Sequence, residues 1–290
     1  MAITASLVKE LRERTGSGMM ECKKALVESD GEIDAAVELM RKSGAAKADK
    51  KAARIAADGV IKIIVSDDAG TAVILEINSE TDFVAKDDNF QSFADDVLAT
   101  IMQQGPGSVD ELSAMTIAGG GTVEEARQAL IAKVGENIQV RRFDLVKSDA
   151  SIASYLHGAR IGVLIDSSAD RDMARDIAMH VAAVNPQFVD IDAVPAEFVE
   201  KEKSILVAQA ESSGKTAEIV EKMIQGRLKK FLAEVTLLEQ PFVKDPEQTV
   251  AKLLSASGAS ISRFIRYEVG EGIEKKVEDF AAEVASQLNS

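Results

Sequence analysis

With 290 residues, 46% of them hydrophobic, the chain is long enough for two or three compact units, and its ten Phe, two Tyr and no Trp point to cores packed by Ala, Leu, Ile and Val. A formal charge of -14 argues against non-specific wrapping of nucleic acid, whose affinity comes from cationic contacts to phosphate; it favours a partner with a basic or neutral surface. One cysteine, Cys22, excludes an intramolecular disulfide and fits a reducing compartment. No apolar signal segment opens the chain and no run approaches the roughly 18 apolar residues of a membrane span, so a soluble cytoplasmic protein is expected.

Thr4 is placed to cap a first helix carrying Leu7, Val8 and Leu11 as far as Thr15, where Gly16-Ser17-Gly18 breaks it. A second short helix is expected from about Met20 to Ser29, with Met19 and Met20 assigned to the inter-helix loop. A third runs from about Glu32 to Ser43, with Ile33, Ala36, Val37 and Met40 on one face. Three short helices make a miniature bundle, small but feasible. The Ala-rich, basic stretch from Lys42 to Arg54 (Lys47, Lys50, Lys51, Arg54) reads as a linker, a solvated helical tether rather than a phosphate site.

From Asp58 the period changes to two. Gly59 to Val65 and Ala72 to Asn78 flank Asp67-Asp68-Ala69-Gly70 as a hairpin. A helix follows from about Asn89 to Met102, with Phe90, Phe93, Val97 and Ile101 at helical spacing. Gly105-Pro106-Gly107 and Gly119-Gly120-Gly121 mark loops, Val123 to Lys133 a further helix, and Asn137 to Leu145 a strand. A second half follows the same plan: a strand from Ala159 to Ile165, a helix from Asp170 to Val184, a helix from Val250 to Ala256 and a strand from Ile261 to Val269. The two endings, Val134-Gly135-Glu136-Asn137-Ile138 and Ser257-Gly258-Ala259-Ser260-Ile261, are each helix, glycine, strand, which suggests two related halves. Between them Val194, Phe198, Lys201, Ile205 and Ala208, then Val220, Ile224, Leu228 and Phe231, recur at heptad-like spacing around Ser212-Ser213-Gly214, an antiparallel helical hairpin. A last amphipathic helix is expected from about Ile273 to Leu288.

The expected architecture is α+β and multi-domain: a bundle at 1–45, a linker at 46–57, one antiparallel core subdomain at 58–146, a related one at 147–189 and 235–270, the hairpin at 190–234 and a C-terminal helical module at 271–290.

Function is sought at Thr81-Asp82-Phe83-Val84-Ala85-Lys86, between a strand and a helix capped by Asp87-Asp88-Asn89. Two readings stand open there. Phe83 folds back onto the core while Asp82 caps a turn, or Phe83 is a wedge for another protein with a charge beside it. Met19 and Met20 either pack under their loop or form an adaptable contact patch. Covalent chemistry finds little support: there is no Gly-x-x-x-x-Gly-Lys-Ser/Thr loop and no Gly-x-Gly-x-x-Gly after a strand, and His157 and His180 have no zinc-ligand spacing with Cys22. Cys22 fits an apolar helix face as an inert thiol, His157 reads as a loop residue or partner contact, and His180 as structural. No catalytic residue, metal or cofactor is expected.

The segments Leu7-Val8-Lys9-Glu10-Leu11-Arg12-Glu13-Arg14-Thr15-Gly16, Met19-Met20-Glu21-Cys22-Lys23-Lys24-Ala25-Leu26, Thr81-Asp82-Phe83-Val84-Ala85-Lys86 and His157-Gly158-Ala159-Arg160-Ile161-Gly162-Val163-Leu164, with the tail Phe264-Ile265-Arg266-Tyr267-Glu268-Val269-Gly270-Glu271-Gly272, resemble the signatures of the bacterial translation elongation factor Ts family. The match is spread over the whole chain in matching order; the stretch from Gln103 to Gly121 matches less well. The resemblance implies a guanine nucleotide exchange factor for the GTPase elongation factor Tu, in its GDP-bound and nucleotide-free states. It implies a ubiquitin-associated-like N-terminal bundle docking through Lys9, Arg12, Met19, Met20 and Lys23, core contacts at Val134, Gly135 and His157, and a coiled-coil hairpin. Thr81, Asp82, Phe83 and Val84 correspond to the stretch with which that family disturbs its partner's magnesium and phosphate site. No direct nucleic acid and no membrane are implied, and a dimer of heterodimers is allowed. The competing readings are a non-catalytic binding scaffold and an enzyme using Cys22 or His157.

Overall fold

A computed structural model of the chain describes residues 3–211 and 216–274. Many of its helices begin where short polar side chains accept backbone N–H groups. Thr4 caps α1 (Ala5–Thr15) and Thr81 caps the single turn α4 (Asp82–Ala85). Asp87 caps α5 (Asp88–Gln104), Ser108 caps α6 (Val109–Ala114), and Thr122 with Glu125 forms a capping box for α7 (Val123–Val134). Asp170 is a simple N-cap for α8 (Arg171–Val184), as is Thr249 for α11 (Val250–Ser257).

Two three-stranded sheets share one ordering. The first is β1 (Asp58–Val65), β2 (Thr71–Ser79) and β3 (Gln139–Lys147), in that order across the sheet. In the second, β5 (Ile161–Ser167) lies between β4 (Ser151–His157) and β8 (Ile261–Glu268), antiparallel to both. Each sheet is a hairpin followed by a long helix, then a helix closed by a left-handed glycine (Gly135 or Gly258), then the third strand. A short pair, β6 (Pro241–Phe242) and β7 (Asp245–Thr249), precedes α11.

The described residues divide into two compact units. One comprises the chain up to Lys62, Leu75–Phe143 and the residues from Val269; the other comprises Ile63–Ile74 and Asp144–Glu268. In the first, α1, α2 (Met19–Glu28) and α3 (Ile33–Lys51) enclose Leu11, Cys22, Ala25, Leu26 and Ala36. Phe90, Phe93, Ala94, Val97, Leu98 and Ile101 form the buried stripe of α5, at the spacing of a core-facing helix. In the second unit Val163, Ile165, Ile177, Ala178, Val181, Leu237, Phe242, Val250 and Leu254 share a core. There His180 is fully buried: its Nδ1 accepts from the Val243 N–H at 3.1 Å, so its Nε2 donates to Gln240 at 2.9 Å. Burial holds its pKa below the ordinary 6.5. It is a structural neutral imidazole.

Several local expectations need correcting. Met19 and Met20 are the first residues of α2, not loop, because Gly18 in extended conformation already serves as N-cap. Helix α3 does not stop at Ser43 but continues to Lys51. Ala and Lys are good helix formers, and the single Gly44 is buried against α7, where even a Cβ would make only ordinary contact, 3.8 Å from the Ala132 Cβ. The supposed solvated tether is therefore packed, with Gly44 and Ala48 buried. Strand β4 was not foreseen, since Ser151–His157 lacks a strong apolar alternation, and His157 ends this strand instead of lying in a loop. In the hairpin of α9 (Ala196–Glu211) and α10 (Ala217–Val235), Leu206 and Ala210 are buried while Ile205 is 43% exposed, one step round from the expected stripe. Phe198 and Phe231 of the expected stripe do meet, their rings stacked with centroids 5.6 Å apart, and Phe198 also makes an edge contact with Phe188 at 5.4 Å. The hairpin turn Ser212–Gly214 and nearly all of the expected last helix lie outside the described residues.

The segment after β8 is fixed by one buried carboxylate. Glu76 on β2 is fully buried and accepts from Arg141 at 2.9 Å, Arg142 at 2.6 Å, Asn78 at 3.1 Å and the Gly270 N–H at 2.8 Å. Gly270 has φ +73°, and a Cβ on it would fall 2.3 Å from the Ala57 carbonyl oxygen, so only glycine allows this approach. Burial alone would raise the Glu76 pKa, but the bonds from Gly270, Arg142, Arg141 and Asn78 outweigh it and hold the group below its ordinary 4.5. A depressed folded-state value means the stabilisation is present above the unfolded pKa and is lost as pH falls through the folded one. Glu76→Gln should cost about 3 kcal/mol at pH 7, because two arginines lose their counter-charge, and the deficit should shrink in acid. Denaturant unfolding at pH 7 and pH 3 measures both; an equal deficit at the two values would contradict this account.

Candidate functional site at the Thr81–Val84 turn

The turn that follows β2 is held by its ends and exposes its middle. Thr81 caps α4 through a bond from the Val84 N–H, and its carbonyl accepts from Ser79 Oγ at 2.8 Å. Glu136, just after α7, receives both the Thr81 N–H at 3.0 Å and the Thr81 hydroxyl at 2.7 Å. Beside it Glu80 accepts from the Asn137 N–H at 2.6 Å. At the far end Ala85 is buried and its carbonyl accepts from Gln91. Between these anchors Phe83 is 81% exposed, more than any other exposed large hydrophobic residue of the described chain. Asp82 is also exposed and meets Lys86 at 2.6 Å one helical turn on. Val84 is half-buried. The reading in which Phe83 folds onto the core is thus not what the structure has; Ala85 supplies that packing.

The other candidates divide by unit. Val134 and Gly135 end α7 immediately before Glu136, so they join the Thr81 turn through one residue. Gly135 adopts φ +83°, the left-handed cap that lets the chain leave the helix and present Glu136 and Asn137 to the turn. On the bundle, Lys9, Arg12, Met19, Met20 and Lys23 are all exposed, Met19 at 61% and Met20 at 76%. The loop between α1 and α2 adjoins α7: a Cβ on Gly16 would sit 3.5 Å from Lys133 Nζ. His157 belongs to the other unit, exposed at the end of β4, with Nδ1 3.1 Å from the Tyr155 hydroxyl. Cys22 is fully buried in the bundle core. Among the described residues no group of three or more His, Cys, Asp or Glu is arranged to hold a metal ion. None of their helices is long and apolar enough to cross a membrane.

Sequence reasoning missed Glu80, Glu136 and Asn137, which aim the turn. The only signal for Glu136 and Asn137 was their position after the glycine that closes a helix, and that spacing does not say what a carboxylate will hold; Glu80 follows the end of β2 with no such signal. Two bonds to one carboxylate are each worth about 1 kcal/mol net, so Glu136→Ala should speed hydrogen exchange at the Thr81 amide by tenfold or more, about 1.4 kcal/mol of local opening. Unchanged protection in the variant would show that the turn is held by other means.

Known proteins resemble the chain from end to end. The family profile described as Elongation factor TS matches residues 80–271, beginning at the turn and ending at the segment bound to Glu76. The chain is 58% identical over 290 residues to the elongation factor Ts of Thioalkalivibrio sulfidiphilus, covering 99% of each chain. It is 60% identical over 289 residues to that of Alkalilimnicola ehrlichii, again over 99% of each, and 58% identical over 292 residues to that of Methylococcus capsulatus, over 100% of each. With a profile match over more than half its length and relatives of this identity from end to end, the chain belongs to the elongation factor Ts family.

Proposed function

We propose that this chain is a guanine nucleotide exchange factor for the translation GTPase elongation factor Tu, acting in the cytoplasm on its GDP-bound and nucleotide-free states without covalent chemistry of its own. Family membership supports the general role. The observation that carries the mechanism is Phe83, 81% exposed on a turn whose backbone is bonded at both ends. An aromatic ring presented to water on a held backbone is suited to transfer into an apolar crevice of a partner. That transfer is worth about 1.5–3 kcal/mol. Asp82 beside it carries negative charge toward a magnesium–diphosphate site, whose coordination depends on placed oxygens and waters. The metal geometry degrades and GDP leaves.

Linkage fixes the rest of the cycle. Whatever factor weakens nucleotide binding must equally weaken binding of the exchange factor when nucleotide returns, so entering GTP expels it. A ten-thousandfold effect needs about 5.5 kcal/mol of coupling, more than one Phe supplies. The remainder comes from a broad interface. Residues 1–45, a ubiquitin-associated-like bundle, grip the GTPase through Lys9, Arg12, Met19, Met20 and Lys23, and Val134, Gly135 and His157 add core contacts. Residues 46–57 join the bundle to two related core halves, 58–146 and 147–189 with 235–270; their shared order of hairpin, helix, glycine-closed helix and strand supports the relation. Residues 190–234 are the coiled coil and 271–290 a terminal module that also reaches the GTPase. Nucleic acid and membrane play no direct part, and the complex admits pairing as a dimer of heterodimers.

Release of labelled GDP from elongation factor Tu tests the proposal. The full-length chain should accelerate it, most strongly at low magnesium. Phe83→Ala should lower the acceleration by about 10- to 100-fold, matching the loss of one buried aromatic. Asp82→Ala should lower it less and flatten its magnesium dependence. If the double variant exchanged nucleotide as fast as the parent chain, the wedge mechanism would be lost.

A further inference from the structure

Asn137 breaks a rule that interiors normally keep. It is fully buried, yet its side-chain oxygen has no hydrogen-bond partner. Its amide nitrogen is committed: it donates to the carbonyls of Arg54 at 2.8 Å and Ala52 at 3.4 Å, in the strap that leaves α3. Two carbonyl acceptors fix which end of the amide faces the strap. The backbone N–H of the same residue donates to Glu80 at 2.6 Å, next to the Thr81 turn. Glu80 in turn meets Arg54 at 3.5 Å, closing a triangle of strap, α7 end and turn. Lys51, the last residue of α3, bonds the Gly135 carbonyl, two residues before Asn137. Arg127 holds the Ile138 carbonyl on the other side at 2.7 Å. The orphaned oxygen is therefore tolerated in a residue whose amide nitrogen and backbone N–H are both engaged and whose flanking Gly135 and Ile138 carbonyls are held, the pattern expected where a local stability rule gives way to function.

We propose that Asn137 is a positioning residue that couples the seat of the N-terminal bundle to the projection of Phe83. It acts through Glu80 and through its neighbour Glu136, and touches neither nucleotide nor partner. The role rests on the exchange activity proposed for Phe83. The bundle, its strap and the wedge then act as one body, so that gripping the partner with the first places the second.

The test uses the full-length chain and GDP release from elongation factor Tu across a range of exchange-factor concentrations. Asn137→Ala should reduce the maximal release rate by about tenfold, since small misplacements of a reacting contact are costly. The concentration for half-maximal effect should stay within about twofold, because the gripping surfaces are untouched. In a Phe83→Ala background the same change should have no further effect, as there is no ring left to place. Should Asn137→Ala not fold, Arg54→Ala and Glu80→Gln, both at the rim of the junction, carry the same cycle. A folded variant with an unaltered maximal rate, or an effect that persists in full beside Phe83→Ala, overturns the role. A parent chain that does not accelerate release at all removes the exchange reading itself, and this role with it.

Discussion

The three residues Gly135, Glu136 and Asn137 carry a constraint on which the presentation of the site depends. They follow the left-handed end of α7 and meet α3 through the Gly135 carbonyl, the strap through the Asn137 amide and the turn through Glu136 and the Asn137 N–H. Each contact is an ordinary hydrogen bond, modest by itself. Their effect comes from convergence on one short segment that has no freedom to satisfy one neighbour at the expense of another. An exposed Phe on a loose loop would fold back onto apolar surface. With the Thr81 backbone bonded to Glu136 and Ala85 buried, Phe83 has no such route.

The energetics of the turn are those of a small, deliberate imbalance. Leaving Phe83 in water forgoes about 1.5–3 kcal/mol that burial would give, a sizeable share of a net stability of about 5–15 kcal/mol. The Asp82–Lys86 pair returns little, since both side chains are exposed and solvent screens them. The stabilisation must come from below, from Phe90, Phe93 and Val97 on the helix that follows and from the bonded ends of the turn. The division of labour is visible along ten residues of chain, with grip at its ends and display at its centre.

How much of this was legible in the sequence depended on whether the signal was local. Caps such as Thr4 and Asp87, the alternation of β1 and β2, and the stripe of α5 are written in neighbouring residues and could be read there. The Thr81-Asp82-Phe83 motif was legible as a site only through its resemblance to a family, because local sequence alone favoured the ring folding back onto the core. What sequence did not disclose were pairings over long separations. Glu136 meets Thr81 across 55 residues, and Asn137 meets Arg54 across 83. The extension of α3 was hidden for a related reason: Gly44 looks like a helix breaker until α3 is seen packed against α7 around it. Strand β4 was hidden because its partner, not its own composition, makes it a strand.

The carboxylate of Glu76 has a consequence for how the chain is made. Its backbone donor, Gly270, is the last of its four partners to be synthesised, 194 residues downstream, while Arg141 and Arg142 precede it by more than a hundred. The first unit is discontinuous in the chain, and a nascent polypeptide ending anywhere before Val269 lacks its closing segment. Domains generally fold as units in the order they leave the ribosome. Here the unit that begins first is finished last, so the unit bearing Phe83 acquires its complete scaffold only once the residues from Val269 onward have been made.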